Sequence, residues 1–463
     1  MISLVWFRRD LRVHDHPALV AAADVGRPVP VFCFDSRLLH GRHGSGPRGR
    51  FMLECLRDLD EPLRKRGSGL VVRDGPPERE IPRLAAEVGA REVHVTADVG
   101  PYARRRDDAV AAALEGTAAK LVAHPGLTVA GDAAAVRTQK GTPHRVFSPY
   151  HRAWLDQPRR NVLGAPRSLP ALPRDLAQGR LPGPDGLGLE EDAPERLRGG
   201  EGEGRRRLAM FLRDRVTRYA DTADRLDQEG TSRLSAYLRF GCVSPREAEA
   251  RLPRGKGAEA FRRQLCWRDF YSQLLFHYPE NAHREFQERF RSTLDWNESD
   301  EDFAAWCEGR TGFPLVDAAM RQLRAEGFVH NRARLVAGSL LTKSLGIDWR
   351  RGERWFMRWL VDGDEGNNNG NWQWIASVGA DPQPAYRRIY NPARHQERFD
   401  PDGAYVRHHV PELRDVAGKH LAEPWKMPVE IQEACGCVIG ADYPAPIVDL
   451  SVARREALDR YAA

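Results

Sequence analysis

The sequence contains no uninterrupted apolar run close to the ~18 residues that a membrane-spanning helix needs. Its opening stretch, MISLVWFRRDLR, reaches charge at Arg8 before a signal-peptide core can form. These absences exclude a spanning helix and lead us to expect a cytoplasmic protein. Cysteine is sparse and scattered, with seven residues: Cys33, Cys55, Cys242, Cys266, Cys307, Cys435 and Cys437. An odd, dispersed set does not build a disulfide framework. Cys435-Gly-Cys437 lacks a second Cys or His pair at zinc spacing, so reduced thiols and no metal site are expected. No G-x-G-x-x-G follows the first apolar run, which removes support for a standard dinucleotide loop there. Internal repeats are also missing. The net charge of +6 is mild: it accommodates a polyanionic partner without requiring one.

What is present divides the chain in three. Over residues 1–130, short apolar runs alternate with helix-type periodicity. SLVWF (3–7), VPVFCF (29–34), GLVVR (69–73), EVHVT (92–96) and KLVAH (120–124) read as buried strands. Residues 48–66, 77–88 and 103–115 read as the intervening helices. This alternation predicts a Rossmann-like, five-stranded parallel sheet covered on both faces. Residues 131–204 are expected to be an interdomain linker, Pro- and Gly-rich from 156 onward. From 205 to 463, apolar residues recur at three- and four-residue intervals, as in FRRQLCWRDFYSQLLFHY (261–278), which predicts a larger all-α domain.

Three clusters carry chemistry. Of the eleven tryptophans, only Trp6 and Trp154 precede residue 267. Trp355 and Trp359, one turn apart, read as core. Trp372 and Trp374 sit in DGDEGNNNGNWQW, where Gly and Asn permit tight turns and Asn offers donors and acceptors together. That segment suits either a flat heteroaromatic ligand or an ordinary surface loop. In GTSRLSAYLRFGCVSP, Thr231, Ser232 and Ser235 stand at a helix start beside Arg233, a phosphate-favouring arrangement, although plain helix capping accounts for them as well. Arg332, Arg334, Arg387, Arg388, Arg394 and Arg398 interleave with Tyr386, Tyr390 and Phe399. That mixture suits a groove tracking phosphates while aromatics meet bases.

Taken together, WFRRDLRVHDHPAL (6–19), GTSRLSAYLRFG (230–241), LCWRDFY (265–271), TGFPLVDAAMRQL (311–323), HNRAR (330–334), IDWRRGERWFM (347–357), DGDEGNNNGNWQWIAS (362–377) and YNPARHQERFD (390–400) resemble the photolyase/cryptochrome family, in family order and over nearly the whole chain. Within it they are similar to the bacterial class I members that act on cyclobutane pyrimidine dimers. The resemblance implies FAD in the helical domain. Tyr219, Thr231, Ser232, Leu234 and Ser235 would lie on its pyrophosphate side. Arg334, Asp362, Asp364 and Asn368 would surround its ring and ribose, with Asn368 facing N5. Trp372, Trp349 and Trp296 would relay electrons from flavin to surface. A flipped-out dimer would stack on Trp267 and Trp374 and meet Asn331, Gln264 and Leu335, while Arg332 and Arg388 bind phosphates. Base flipping is this family's known strategy.

The implied activity is light-driven dimer repair in UV-damaged DNA by a monomer. A cryptochrome-type photoreceptor and a (6-4) lesion photolyase are the alternatives. Gln264 replaces the Glu often found three residues before the pocket Trp, and it offers no carboxylate. His330-Asn331-Arg332 follows the dimer-photolyase pattern, and no long tail follows DYPAPIV. For a second, antenna chromophore, ADVGPYARRRD (97–107) lacks the Asn-Glu pair of folate-binding members. The segment is more similar to that of deazaflavin-binding members, which pair it with an Arg at the position of Arg48, so the resemblance implies a deazaflavin contacting Phe32, Arg48 and Asp98, with a second flavin or no antenna as the alternatives.

Overall fold

A computed structural model describes residues 1–183, 185–189, 192–380 and 383–462. Five parallel strands, β1 (Ile2–Phe7), β2 (Arg27–Phe34), β3 (Val71–Asp74), β4 (Glu92–Thr96) and β5 (Lys120–His124), form one sheet in the order β3-β2-β1-β4-β5. Its register pairs Val5 with Pro30 and with His94. The central strands are buried on both faces, which is why they read as continuous apolar runs rather than alternating ones. Edge strand β5 exposes Lys120 and Ala123. A lysine there discourages pairing with another chain. The helices Gly46–Lys65, Pro77–Val88 and Pro101–Leu114 lie where the periodicity predicts them.

The expected linker, 131–204, holds ordered structure. Helix Phe147–Leu155 buries Phe147, Tyr150 and Trp154. The Trp154 indole donates to Asp269 Oδ2 at 2.8 Å, and the Val129 and Ala130 amides donate to the same oxygen. Asp269 thus ties the start of this segment to helix Lys256–His277. Helix Glu201–Asp214 begins before residue 205.

The α/β and helical regions share one core. Phe51 packs against Tyr237 and Phe240, with ring centroids 5.4 and 5.2 Å away. Burying such a ring contributes about 1.5–3 kcal/mol. Beside it, the Phe240 carbonyl accepts from Leu11 N, and the Gly241 carbonyl accepts from buried Arg12. Gly241 has φ +66°, and a Cβ there would lie 2.1 Å from Arg9 O, so only glycine lets the two regions meet this closely. Among the described residues, no helix is long and apolar enough to cross a membrane.

Candidate flavin cavity

A cavity of about 300 Å³ opens in the helical domain, at the lower end of the usual ligand-pocket range of roughly 300–1,000 Å³. Its walls come from segments far apart in sequence: the 231–235 turn, one face of helix Lys256–His277, helix Asn331–Ser339, and the stretch from Asp362 through helix Glu365–Ile375. All of the residues expected around a flavin line it: Tyr219, Thr231, Ser232, Leu234, Ser235, Arg334, Asp362, Asp364 and Asn368.

The geometry of the turn is particular. Arg233 takes φ +49°, in the left-handed region that side chains avoid. Its guanidinium lies over Phe328 and pairs with Glu326, which holds that conformation. The Ser232 hydroxyl accepts from Leu234 N at 3.3 Å.

On the opposite wall, Asp364 caps helix Glu365–Ile375 by accepting from Asn367 N at 2.9 Å. Burial pushes the Asp364 carboxyl up, but Arg9, Arg239 and Arg268 outweigh it and hold the group below the ordinary carboxylate range. Asp364 is therefore a fixed anion. Arg334 bonds Asp362 at 2.8 Å. The other carboxylate oxygen, Oδ1, is buried and has no hydrogen-bond partner among the described residues. A buried acceptor of this kind suits a ligand hydroxyl or N–H. Asn368 is fixed by a residue that sequence reasoning missed. Its Nδ2 donates to Glu353 O at 3.0 Å and to Glu353 Oε1 at 3.1 Å. Both amide hydrogens are thereby engaged, and Oδ1 is the polar edge left for the cavity. Burial raises the Glu353 pKa.

Trp372 lines the cavity and is 4% exposed. It meets Phe356 edge-on at 5.0 Å and Trp306 at 6.1 Å. Trp349 lies in the core at 1% exposure, its indole donating to Glu285 at 3.4 Å, and Trp296 is half-buried. Of the three tryptophans expected to form a relay, Trp372 and Trp349 are buried and Trp296 is the one with partial exposure. Trp306, passed over in the sequence, touches both Trp372 and Phe356, and only its apolar character could have flagged it.

Gln264, Asn331 and Leu335 also line the cavity, and Gln264 and Asn331 are exposed. The two tryptophans expected to wall a lesion pocket are not among the lining residues. Trp267, one turn beyond Gln264, stacks on Phe147 with centroids 3.6 Å apart and planes 3° apart. Trp374 lies under the Arg388 guanidinium, 4.0 Å from the ring centroid. Arg388, expected at a phosphate, is 1% exposed, so its side chain faces the interior rather than a groove. Arg332 pairs with Asp224 and lies 4.4 Å over Phe399, a ring that Arg398 and His395 also approach. Phe147 carried no signal in the sequence, because its partner Trp267 is 120 residues away.

A second cavity, about 440 Å³, sits at the strand ends of the α/β domain. Phe32, Arg48 and Asp98 all line it. Arg48 donates to the carbonyls of Met357 and Leu360 at 2.7 and 2.9 Å, joining the two domains. Arg239 lines both cavities, and Arg9 bridges Asp98 of this one to Asp364 of the other.

A parallel α/β domain fused to a helical domain, with a cavity lined by hydroxyls, amides, fixed carboxylates and a tryptophan, defines a protein built around a nucleotide-type aromatic cofactor. The chain belongs to the photolyase/cryptochrome family. Residues 3–173 match the family model described as DNA photolyase, and residues 261–463 match that of the FAD binding domain of DNA photolyase. A deoxyribodipyrimidine photo-lyase of Streptomyces griseus is 41% identical, covering 98% of this chain and 97% of its own length. A bacterial class III photolyase structure from Agrobacterium tumefaciens superposes with TM-score 0.91 at 33% identity, covering 99% of this chain and 97% of its own. A Synechocystis cryptochrome structure gives 0.89 at 28% identity, covering 99% of each.

Proposed function

We propose that this chain is a deoxyribodipyrimidine photo-lyase, a monomeric cytoplasmic enzyme that repairs cyclobutane pyrimidine dimers in UV-damaged DNA under light. The observation that carries this reading is the single cavity in which a pinned Asn368, the unpartnered Asp362 oxygen and Trp372 form the walls, while Gln264 and Asn331 stand exposed at the lining. The lining fits FAD. Tyr219 and the 231–235 turn would hold its phosphate side, and Arg334, Asp362 and Asp364 its sugar and ring edges. In its reduced form FAD supplies, on absorbing blue or near-UV light, an electron that a dimer can accept and return, with no net redox change.

The protein's own contribution is placement and electrostatics. Asn368 presents an acceptor oxygen at the ring. Asp364, held as an anion by three arginines, keeps its helix start fixed. Asn331 and Gln264 offer amide donors and acceptors to pyrimidine edges. Arg332 and Arg398, which flank the buried Phe399 ring, supply cations to a strand passing the mouth. For Trp267 and Trp374 to stack on a lesion, Phe147 and Arg388 must leave one ring face of each accessible. A second chromophore, of deazaflavin type, would occupy the N-terminal cavity.

Illumination of the reduced protein with UV-irradiated oligo-thymidine should restore absorbance near 260 nm, with no recovery in the dark. Gln264 supports a second reading, the cryptochrome-type photoreceptor, because a carboxylate is missing where repair enzymes often place one. Bound flavin without absorbance recovery would favour that reading.

A further inference from the structure

With Arg388 turned inward, a strand lying along the mouth of the flavin cavity needs a cation from elsewhere. Helix Lys256–His277 carries four lysines and arginines, and three of them are engaged. Lys256 lies 3.4 Å from Asp221, and Arg262 lies 3.4 Å from Glu249. Arg268 donates to the carbonyls of Leu127 and Leu238. Arg263 is exposed and has neither a carboxylate nor a hydrogen-bond acceptor among the described residues. It adjoins Gln264 of the cavity lining and stands four residues before Trp267. An exposed arginine is ordinarily only solvated, but this one is held in place. Its guanidinium lies over the Phe147 ring, 4.9 Å from the centroid.

Phe147 is the ring that also backs Trp267, with planes 3° apart. Phe270 stands edge-on to both, at 5.7 Å from Phe147 and 5.6 Å from Trp267. His151, one helical turn on, stacks on Phe147 at 5.6 Å. Burial and Arg263 lower the His151 pKa, so that imidazole stays neutral and adds no second charge beside the guanidinium. Phe147 is 6% exposed and Trp267 half-buried, so Phe147 is the inner ring of the stacked pair and Trp267 the outer. One fixed ring from the linker thus orients an indole and a cation. Side chains four apart on a helix are neighbours, with Cβ atoms ~5–6 Å apart, and in DNA a single sugar separates a base from its phosphate. We infer that Arg263 binds the phosphate beside a pyrimidine dimer stacked on Trp267, and that Phe147 is the positioning residue for both side chains. The inference rests on the reading of Trp267 as a lesion wall, and it adds a phosphate contact and the linker residue that sets it.

The full chain with FAD bound is titrated with oligo-thymidine carrying one cyclobutane dimer, in which a neutral methylphosphonate replaces, one at a time, each phosphate near the dimer. For the unaltered protein, one position next to the dimer should weaken binding about tenfold on account of Arg263, the loss expected when a charge-assisted bond goes. Arg263→Ala should bind the all-phosphate oligonucleotide more weakly by the same factor. It should be indifferent to the methylphosphonate at that position while still responding at others. Arg263→Gln, which keeps a side chain over Phe147 but no charge, gives the same comparison should the alanine variant lose FAD. Phe147→Leu should lose the response at the same position and Phe147→Tyr should restore it, whereas a ring needed only for folding would weaken every position alike. An Arg263→Ala variant that responds to each methylphosphonate as the unaltered protein does overturns the phosphate contact. A Phe147→Leu variant that keeps the response removes Phe147 from the positioning role. If the unaltered protein shows no preference for the dimer-bearing oligonucleotide over its undamaged counterpart, the lesion reading itself fails instead.

Discussion

At the residue scale, Asn368 is defined by what holds it. An asparagine amide can turn either edge toward a ligand, and the two bonds from Nδ2 to Glu353 choose the oxygen. An acceptor at flavin N5 favours the hydrogen-bearing, reduced ring. Asn368→Ala should therefore shift the potential of bound FAD negative by about 30 mV. That is the two-electron equivalent of a hydrogen bond of ~1.4 kcal/mol, and spectroelectrochemistry would detect it; an unchanged potential would detach Asn368 from the ring. Asn368 was legible in the sequence because the Asn-rich run resembles a family motif. Glu353 was not. In ERWFMRW it reads as one more charge on a helix, and its burial follows from the packing of two helices that meet only in the fold.

Aspartate 269 shows the same dependence on distant partners and has a pH signature. Burial pushes its carboxyl up to about 6, against bonds from Trp154 and two backbone amides that favour the ionised form. The unfolded chain ionises this group near pH ~3.9. The folded state thus binds the extra proton between about pH 4 and 6, and this residue's contribution to stability falls as pH rises through that window. Asp269→Asn does not titrate. Its stability relative to the unaltered protein should rise by on the order of 2 kcal/mol from pH 4 to 6.5 and then level off. Denaturant melts at several pH values measure this, and a constant difference would contradict it.

At the element scale, the close approach of helices Trp349–Trp359 and Glu365–Ile375 sets the position of Trp372. A Cβ on Gly352 would lie 2.3 Å from Trp372 Cη2 and 2.5 Å from Leu341 Cδ2. Gly352→Ala should therefore destabilise by about 1–3 kcal/mol through overpacking, despite the better helix propensity of alanine. Thermal melts should show the loss, and flavin photoreduction should slow as the indole is displaced; a variant equal to or above the unaltered protein in melting temperature would mean that the contact relaxes without cost. The strands were legible for a physical reason, since a sheet buried on both faces must be written as unbroken apolar runs. Helix Phe147–Leu155 was not legible. It is short, contains Pro149, and lies among prolines and glycines that read as loop. What makes it a helix with a buried face is tertiary: Trp154 reaches Asp269, and Phe147 stacks on Trp267.

At the scale of the whole molecule, two cavities meet at a shared wall. Arg239 lines both, Arg9 joins a carboxylate of each, and Arg48 closes the junction by bonding Met357 and Leu360. The α/β domain therefore carries its own site and also fixes the start of the helix that carries Asn368 and Trp372. The measurement that tests the central claim most directly is the emission of the reduced, FAD-loaded protein on addition of DNA. A dimer held within electron-transfer reach of the flavin must shorten its excited state. UV-irradiated oligo-thymidine should therefore quench the reduced-flavin fluorescence, and the same oligonucleotide without dimers should leave it unchanged. Equal emission with both, under conditions where both are bound, would contradict the account.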